Sequence, residues 1–115
     1  MPVHIKRVYE PSGESDGKRI LVDRLWPRGL AKAEAHIDLW MKDVAPSAAL
    51  RRWFGHDPAR WTEFQHRYLE ELAGNPQAVD ALRKAIGQST ATLLYGARDE
   101  AHNLAVVLQA FIAGK

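Results

Sequence analysis

The sequence predicts a small α/β fold: a mostly parallel sheet of about four strands flanked by helices, with a helical insertion around 47–87. Two observations predict it. Segments with the composition of strands alternate along the chain with segments of helical periodicity, as is typical of parallel sheets. One of these segments holds the continuous apolar run Ile20-Leu21-Val22, which suits a strand buried on both faces. Residues 1–115 are expected to form a single domain.

Strands are predicted where apolar residues alternate with polar ones or form a short unbroken run. Val3 and Ile5 alternate with polar neighbours in the first strand, and Ile37–Met41 alternates in the same way. Pro, Gly and Ser are frequent between residues 10 and 17, so a loop is expected there. The predicted strands are Val3–Tyr9, Arg19–Leu25, Ile37–Met41 and Thr90–Tyr95.

Helices are predicted from capping residues, from proline at a first helical position and from apolar residues at helical spacing. Glycine follows three of them and is a common residue at a helix end. Asp99 is expected to cap the last helix. The predicted helix starts are Leu30, Ser47, Asp57-Pro58, Asn75-Pro76 and Asp99.

Composition excludes several classes of site. The chain has no cysteine, so disulfides, thiolate metal sites and thiol nucleophiles are excluded. It has no Gly-rich phosphate loop, dinucleotide fingerprint or zinc spacing, so neither a cofactor nor a metal is expected. No apolar run approaches the roughly 20 residues of a membrane span, and a cytoplasmic protein without a membrane partner is predicted. The net charge of +2 permits an anionic partner but falls short of a typical nucleic-acid binder. The oligomeric state is left open.

The first candidate segment, Asp23–Gly29, directly follows the buried strand. Ligands of open parallel sheets bind beyond the carboxyl ends of the strands. Arg24 and Arg28 are therefore predicted to grip a phosphate or carboxylate through their forked donors, with Trp26 beside the ligand. Asp23 would orient an arginine or act as a general base. Alternatively, Asp23 and Arg24 form a buried ion pair and Trp26 fills a gap in the core.

The second candidate segment, Arg98–Asn103, follows the last predicted strand and leads into a helix. Arg98 would add a positive charge, and Asn103 would be a hydrogen-bond partner of the ligand. Asp99 and His102 are three residues apart and can share a helix face, so His102 is the candidate proton carrier. Alternatively, Asp99 only caps the helix while His102 and Asn103 satisfy local hydrogen bonds.

The leading hypothesis is a domain that binds a small anionic or phosphorylated ligand at the carboxyl ends of the strands. Acid/base catalysis by Asp23, Asp99 and His102 is left open. A non-catalytic module that binds nucleic acid or protein is the alternative. A third interpretation is that the polar clusters only hold the fold together. His56 and Asp57 are expected to be structural, closing a turn and capping the next helix.

Three motifs occur in the same order as in a known family. They are Leu21-Val22-Asp23-Arg24-Leu25-Trp26-Pro27-Arg28-Gly29, Trp53-Phe54-Gly55-His56-Asp57-Pro58 and Leu93-Leu94-Tyr95-Gly96-Ala97-Arg98-Asp99 followed by His102-Asn103. The chain thereby resembles the YeaO-like proteins of the bacterial and archaeal family called domain of unknown function 488. The resemblance implies an α/β domain with a parallel sheet, and it implies no activity. Longer relatives tend to carry a Cys-His-Arg run where this chain has Asn103-Leu104-Ala105, so no mechanism through that cysteine is implied here.

Overall fold

A computed structural model describes residues 3–114, which form a four-stranded sheet flanked by helices. The strands are β1 (Val3–Arg7), β2 (Lys18–Leu21), β3 (Leu39–Trp40) and β4 (Ala91–Tyr95). Each pair of neighbours runs parallel, and the order across the sheet is β1-β4-β2-β3. The predicted α/β fold with a parallel sheet of about four strands is confirmed.

The third strand is shorter than predicted, because a side chain replaces part of its ladder. The carboxylate of Asp38 accepts the main-chain N–H of Arg19 at 2.8 Å, while the main-chain N–H of Asp38 donates to the Arg19 carbonyl at 2.8 Å. Aspartate side chains commonly compete with strand pairing in this way. Only Leu39 and Trp40 then pair with β2 as a regular strand.

The helices follow the predicted order, and three of them fill the predicted insertion around 47–87. They are α1 (Lys32–Ala35), α2 (Ala48–Phe54), α3 (Trp61–Ala73), α4 (Pro76–Ile86) and α5 (Leu104–Gly114). Ser47 caps α2 as predicted, since its hydroxyl accepts the main-chain N–H of Leu50 at 3.1 Å. The signal at Asp57-Pro58 begins a short 3-10 turn, Pro58–Arg60, which leads directly into α3.

The prediction that Asp99 caps the last helix is wrong. The Oδ1 atom of Asn103 accepts the main-chain N–H groups of Ala105 at 2.9 Å and Val106 at 3.2 Å, so Asn103 is the capping residue of α5. The carboxylate of Asp99 instead accepts N–H groups within a preceding turn, from Ala101 at 2.9 Å and His102 at 3.0 Å. Aspartate and asparagine are equally good capping residues. The additional turn after Asp99, and not the residue type, therefore places Asn103 at the start of α5.

The two faces of the sheet have different coverings. Successive strand residues point to opposite faces. Ile20 and Leu93 pack into the larger core, which contains residues of α2, α3, α4 and α5. Leu21 and Leu94 join a smaller core with Val8, against which the partly buried residues of the segment 26–37 pack. The run Ile20-Leu21-Val22 is fully buried, as the sequence predicted.

A buried ionic cluster completes the second face of the sheet. The carboxylate of Asp16 accepts hydrogen bonds from Lys6 at 3.1 Å and from Arg19 at 2.5 Å. The same guanidinium donates to the carbonyls of His36 at 2.9 Å and Ala35 at 3.2 Å. Burial by itself would raise the pKa of Asp16, but these bonds and one from a main-chain N–H lower it. The cluster therefore joins the loop before β2 and the end of α1 to the sheet.

We expect Asp16→Ala to lower the free energy of unfolding by about 3–5 kcal/mol, because it leaves the Arg19 guanidinium buried without its carboxylate. Asp80→Ala is the matched control. It removes an exposed carboxylate on α4 and should change stability by less than about 0.5 kcal/mol. Urea denaturation of both variants measures the difference. Equal losses in the two variants would contradict a structural role for the cluster.

We expect Asn103→Ala to lower the free energy of unfolding by about 2 kcal/mol, because it removes the cap of α5 and a partly buried bond to the Asp99 carbonyl at 2.9 Å. The control is Asn75→Ala. Asn75 precedes α4 without a side-chain capping bond, and its amide donates only to the exposed Asp43 carbonyl at 3.1 Å, so its loss should cost less than about 1 kcal/mol. Urea denaturation compares the two, and a cost at Asn75 as large as that at Asn103 would refute this assignment of the cap.

Candidate functional site

A cavity of about 350 Å³ lies at the carboxyl ends of the neighbouring strands β2 and β4. Its walls come from the segment after β2, the end of β4 and the start of α5, with additional residues from the helical insertion. This is the edge at which parallel α/β sheets bind ligands. Parts of both predicted segments, 23–29 and 98–103, therefore meet at one cavity.

Asp23 connects the two strands at the cavity. Its Oδ2 atom accepts the main-chain N–H of Gly96 at 2.8 Å, and its carbonyl accepts the indole N–H of Trp40 at 2.8 Å. The alternative of a buried Asp23–Arg24 ion pair is wrong. The Arg24 guanidinium donates instead to the carbonyls of Pro46 at 3.0 Å and Ala45 at 3.2 Å, which hold it against the chain that precedes α2.

Burial raises the pKa of Asp23 to about 6, well above the ordinary value of 3.8. The bond from Gly96 and the positive charges of His56 and Arg51 act in the opposite direction and offset part of this increase. Among the described residues, only Gly96 bonds to this carboxyl group, and its Oδ1 atom is not enclosed. Asp23 can therefore exchange a proton near neutral pH and can accept a hydrogen bond from the cavity side.

The residues that line the cavity include several basic side chains and a single carboxylate, that of Asp23. Arg28 lies after β2, whereas Arg51 and His56 come from α2 and the turn that follows it. Neither Arg51 nor His56 was predicted from the sequence as a site residue, because only tertiary packing brings the insertion to the strand ends. The one local signal is Gly55-His56: both residues have positive φ, 54° and 58°, and turn the chain toward the cavity.

The exposed side of the cavity is apolar and aromatic. Leu25 and Tyr9 line it and are 58% and 42% exposed. Trp26 also lines it while packing against the smaller core. Its contact with a ligand stays a prediction. The Tyr9 hydroxyl donates to the Arg28 carbonyl at 2.8 Å, and the Trp26 indole N–H donates to the Leu30 carbonyl at 2.8 Å. These bonds hold both rings in place.

Three of the predicted site residues lie outside the cavity wall: Arg98, Asp99 and His102. Arg98 is exposed to solvent. Asp99 bonds to the His102 ring, with its Oδ2 atom 2.9 Å from Nδ1, and this bond together with main-chain N–H groups lowers the pKa of Asp99. The His102 ring meets Trp61 of α3 edge-on, with ring centres 5.1 Å apart. Asn103 lines the cavity, but its amide is occupied by α5 and by Asp99.

Two further properties of residues 3–114 bear on this site. No group of three or more His, Asp or Glu side chains in this range could hold a metal ion. None of the helices in the described part of the chain has the length and apolar character needed to cross a bilayer.

Comparison with known proteins places the chain in a family. Residues 2–115 match the family model described as the inactive DUF488-N3 subclade. The chain belongs to the YeaO-like DUF488 family. Uncharacterized proteins of Mycobacterium bovis and Mycobacterium tuberculosis are 43% identical over 113 residues, covering 98% of this chain and 95% of theirs. Uncharacterized protein YeaO of Escherichia coli K12 is 43% identical over 108 residues, or 94% of each chain. No solved structure matches significantly.

In this DUF488 member we expect Asp23→Asn to stabilise the fold at high pH. Because the folded-state pKa of Asp23 is raised to about 6, protonation stabilises the folded state below the ordinary value of 3.8, and this contribution is lost as the pH rises through 6. Asparagine stays neutral and still accepts the Gly96 N–H. The variant should exceed the wild type by up to about 3 kcal/mol at pH 8 and match it near pH 4.

Urea denaturation at several pH values measures this difference. Asp80→Asn, at an exposed position of α4, is the control and should show no such pH-dependent gain. A variant at Asp23 that is less stable than the wild type at pH 8 would contradict the raised pKa.

Proposed function

We propose that this protein is a non-catalytic domain that binds a small anion, a phosphate or carboxylate group of a metabolite, in the cavity at the strand ends. One observation carries the proposal: the cavity between β2 and β4 is lined by Arg24, Arg28, Arg51 and His56 but by a single acidic residue, Asp23. Its location agrees with the usual place of ligands in parallel α/β sheets. The expected cytoplasmic location remains a prediction.

The four basic residues contribute differently. Arg24 already spends its Nε and Nη2 donors on two carbonyls, so it acts mainly as a scaffold and contributes its positive charge. Arg28 and Arg51 are exposed, and no such bond holds their guanidinium groups among the described residues. Guanidinium donors match the geometry of phosphate and carboxylate oxygens. We therefore assign the anion to Arg28 and Arg51, with His56 as the third donor.

Binding without turnover is supported by two points. The family model that matches the chain describes an inactive subclade. Of the three side chains predicted to be catalytic, Asp99 and His102 do not line the cavity and bond to each other. Only Asp23 remains as a group that could transfer a proton to a bound molecule.

The alternative function is a module that binds nucleic acid or protein. The charges on the surface of the insertion support it less well than the cavity supports anion binding. The basic residues there are partly paired with acids, Arg60 with Asp57 at 3.9 Å and Arg67 with Glu63 at 2.9 Å. Such pairing lowers the positive potential that phosphate backbones require. Binding of nucleic acid is therefore one possible outcome of the titration with phosphate and oligonucleotides.

Titration calorimetry with inorganic phosphate tests the proposal. The wild type should bind phosphate, and Arg51→Ala should weaken binding about tenfold, because it removes a charged donor from the cavity. Arg52→Ala is the matched control, since the neighbouring arginine is exposed but does not line the cavity. Its affinity for phosphate should equal that of the wild type.

The proposal is overturned if the wild type binds neither phosphate nor acetate, or if the Arg51 and Arg52 variants lose affinity equally. Binding of short oligonucleotides alone, with an affinity that falls steeply as salt rises, would favour the nucleic-acid module instead.

A further inference from the structure

The cavity is larger than an isolated oxyanion requires. Its volume of about 350 Å³ lies within the range of about 300–1,000 Å³ that is usual for small-molecule sites. The segment after β2 contributes the basic residue Arg28 and the apolar residues Leu25 and Trp26, and the insertion contributes Arg51 and His56 together with Phe54 and Phe64. Charged and apolar surfaces therefore both line the cavity, and a ligand that uses both must carry an anionic group and an apolar group.

The apolar surface suits a planar ring. Tyr9 and Trp26 present aromatic side chains to the cavity, and Leu25 is the most exposed of the large hydrophobic residues described. The hydrogen bonds from Tyr9 to the Arg28 carbonyl and from Trp26 to the Leu30 carbonyl fix both rings before any ligand arrives. Rigid aromatic side chains bind planar rings at a low entropic cost, and bases stack favourably on aromatic rings.

Asp23 adds a hydrogen-bond acceptor to the cavity wall. Its Oδ2 atom is held by Gly96, while Oδ1 is not enclosed and has no partner among the described residues. A carboxylate in the wall of a cavity of this size is a good acceptor for ring N–H groups, as in the pairing of acidic side chains with base amino groups.

We propose that the ligand of this cavity is a nucleoside monophosphate. Its phosphate lies among Arg28, Arg51 and His56, and its base lies against Tyr9, Leu25 and Trp26. A base N–H group donates to the Oδ1 atom of Asp23. This inference rests on the proposed anion site and specifies the rest of the ligand.

The experiment compares GMP, ribose 5-phosphate and inorganic phosphate by titration calorimetry on the full chain. GMP presents ring N–H donors, whereas ribose 5-phosphate keeps the sugar phosphate without the base. The wild type should bind GMP at least tenfold more tightly than ribose 5-phosphate, in line with the stacking contribution of one base. Guanosine, which lacks the phosphate, should bind more weakly than GMP.

Two variants locate the base. Leu25→Ser removes apolar surface from the cavity at an exposed position, and Asp23→Asn removes the charged acceptor. Both should reduce the ratio of the GMP affinity to the ribose 5-phosphate affinity several-fold. Leu69→Ser is the matched control for the first variant, because Leu69 is 40% exposed on α3 and does not line the cavity. Asp80→Asn is the control for the second. Neither control should change the ratio.

The outcomes separate the two proposals. Equal affinities for GMP and ribose 5-phosphate, with phosphate still bound, would overturn the nucleotide inference and leave the anion site intact. A preference for GMP that both cavity variants retain would also overturn it. If none of the three compounds binds the wild type, the nucleotide inference fails, and the anion proposal fails with it when acetate does not bind either.

Discussion

The hydrogen bond between the Asp23 carboxylate and the Gly96 main-chain N–H is the interaction on which the cavity depends. The pairing of β2 with β4 ends where the Val22 N–H donates to the Leu94 carbonyl at 3.1 Å, and Asp23 then makes the next link with a side chain at 2.8 Å. Glycine suits the opposite position, since a Cβ atom at residue 96 would lie 3.0 Å from the Asp23 Oδ2 atom and the carboxylate would have to shift. Beyond this link, the segments that follow the two strands both line the cavity.

This link has an electrostatic cost that the rest of the site reduces. Placing a carboxyl group at a buried strand end disfavours its charged form, which is why the pKa of Asp23 is raised to about 6. Arg51 and His56 offset part of the cost with their positive charges. They come from the insertion, so the electrostatics of the strand ends depends on how the helices pack. Residues that oppose stability in this way tend to occur at functional sites, which supports the choice of this cavity over other surfaces.

The fold could be predicted from the sequence because its signals are local. An unbroken apolar run such as Ile20-Leu21-Val22 and a capping serine such as Ser47 are determined by burial and by neighbouring backbone. Half of the site could be predicted because carboxyl ends of parallel strands share one edge. The rest depends on distant packing: no local pattern shows that Arg24 bonds to the carbonyls of residues 45 and 46, or that Arg51 reaches the cavity.

In the segment 98–103, distant packing determines which of the predicted site residues reach the cavity. Arg98 was expected to share an anion with Arg24 and Arg28, but the additional turn before α5 leaves it outside the cavity wall. In that turn the Asp99–His102 pair bonds internally, and the His102 ring rests against Trp61, so the segment connects α5 to α3. Its contribution to the cavity is thereby reduced to Asn103, whose amide is already spent on the helix cap. Arg51 and His56 of the insertion line the cavity in its place, together with Arg28 after β2, and an anion held there would join the helices to the strand ends.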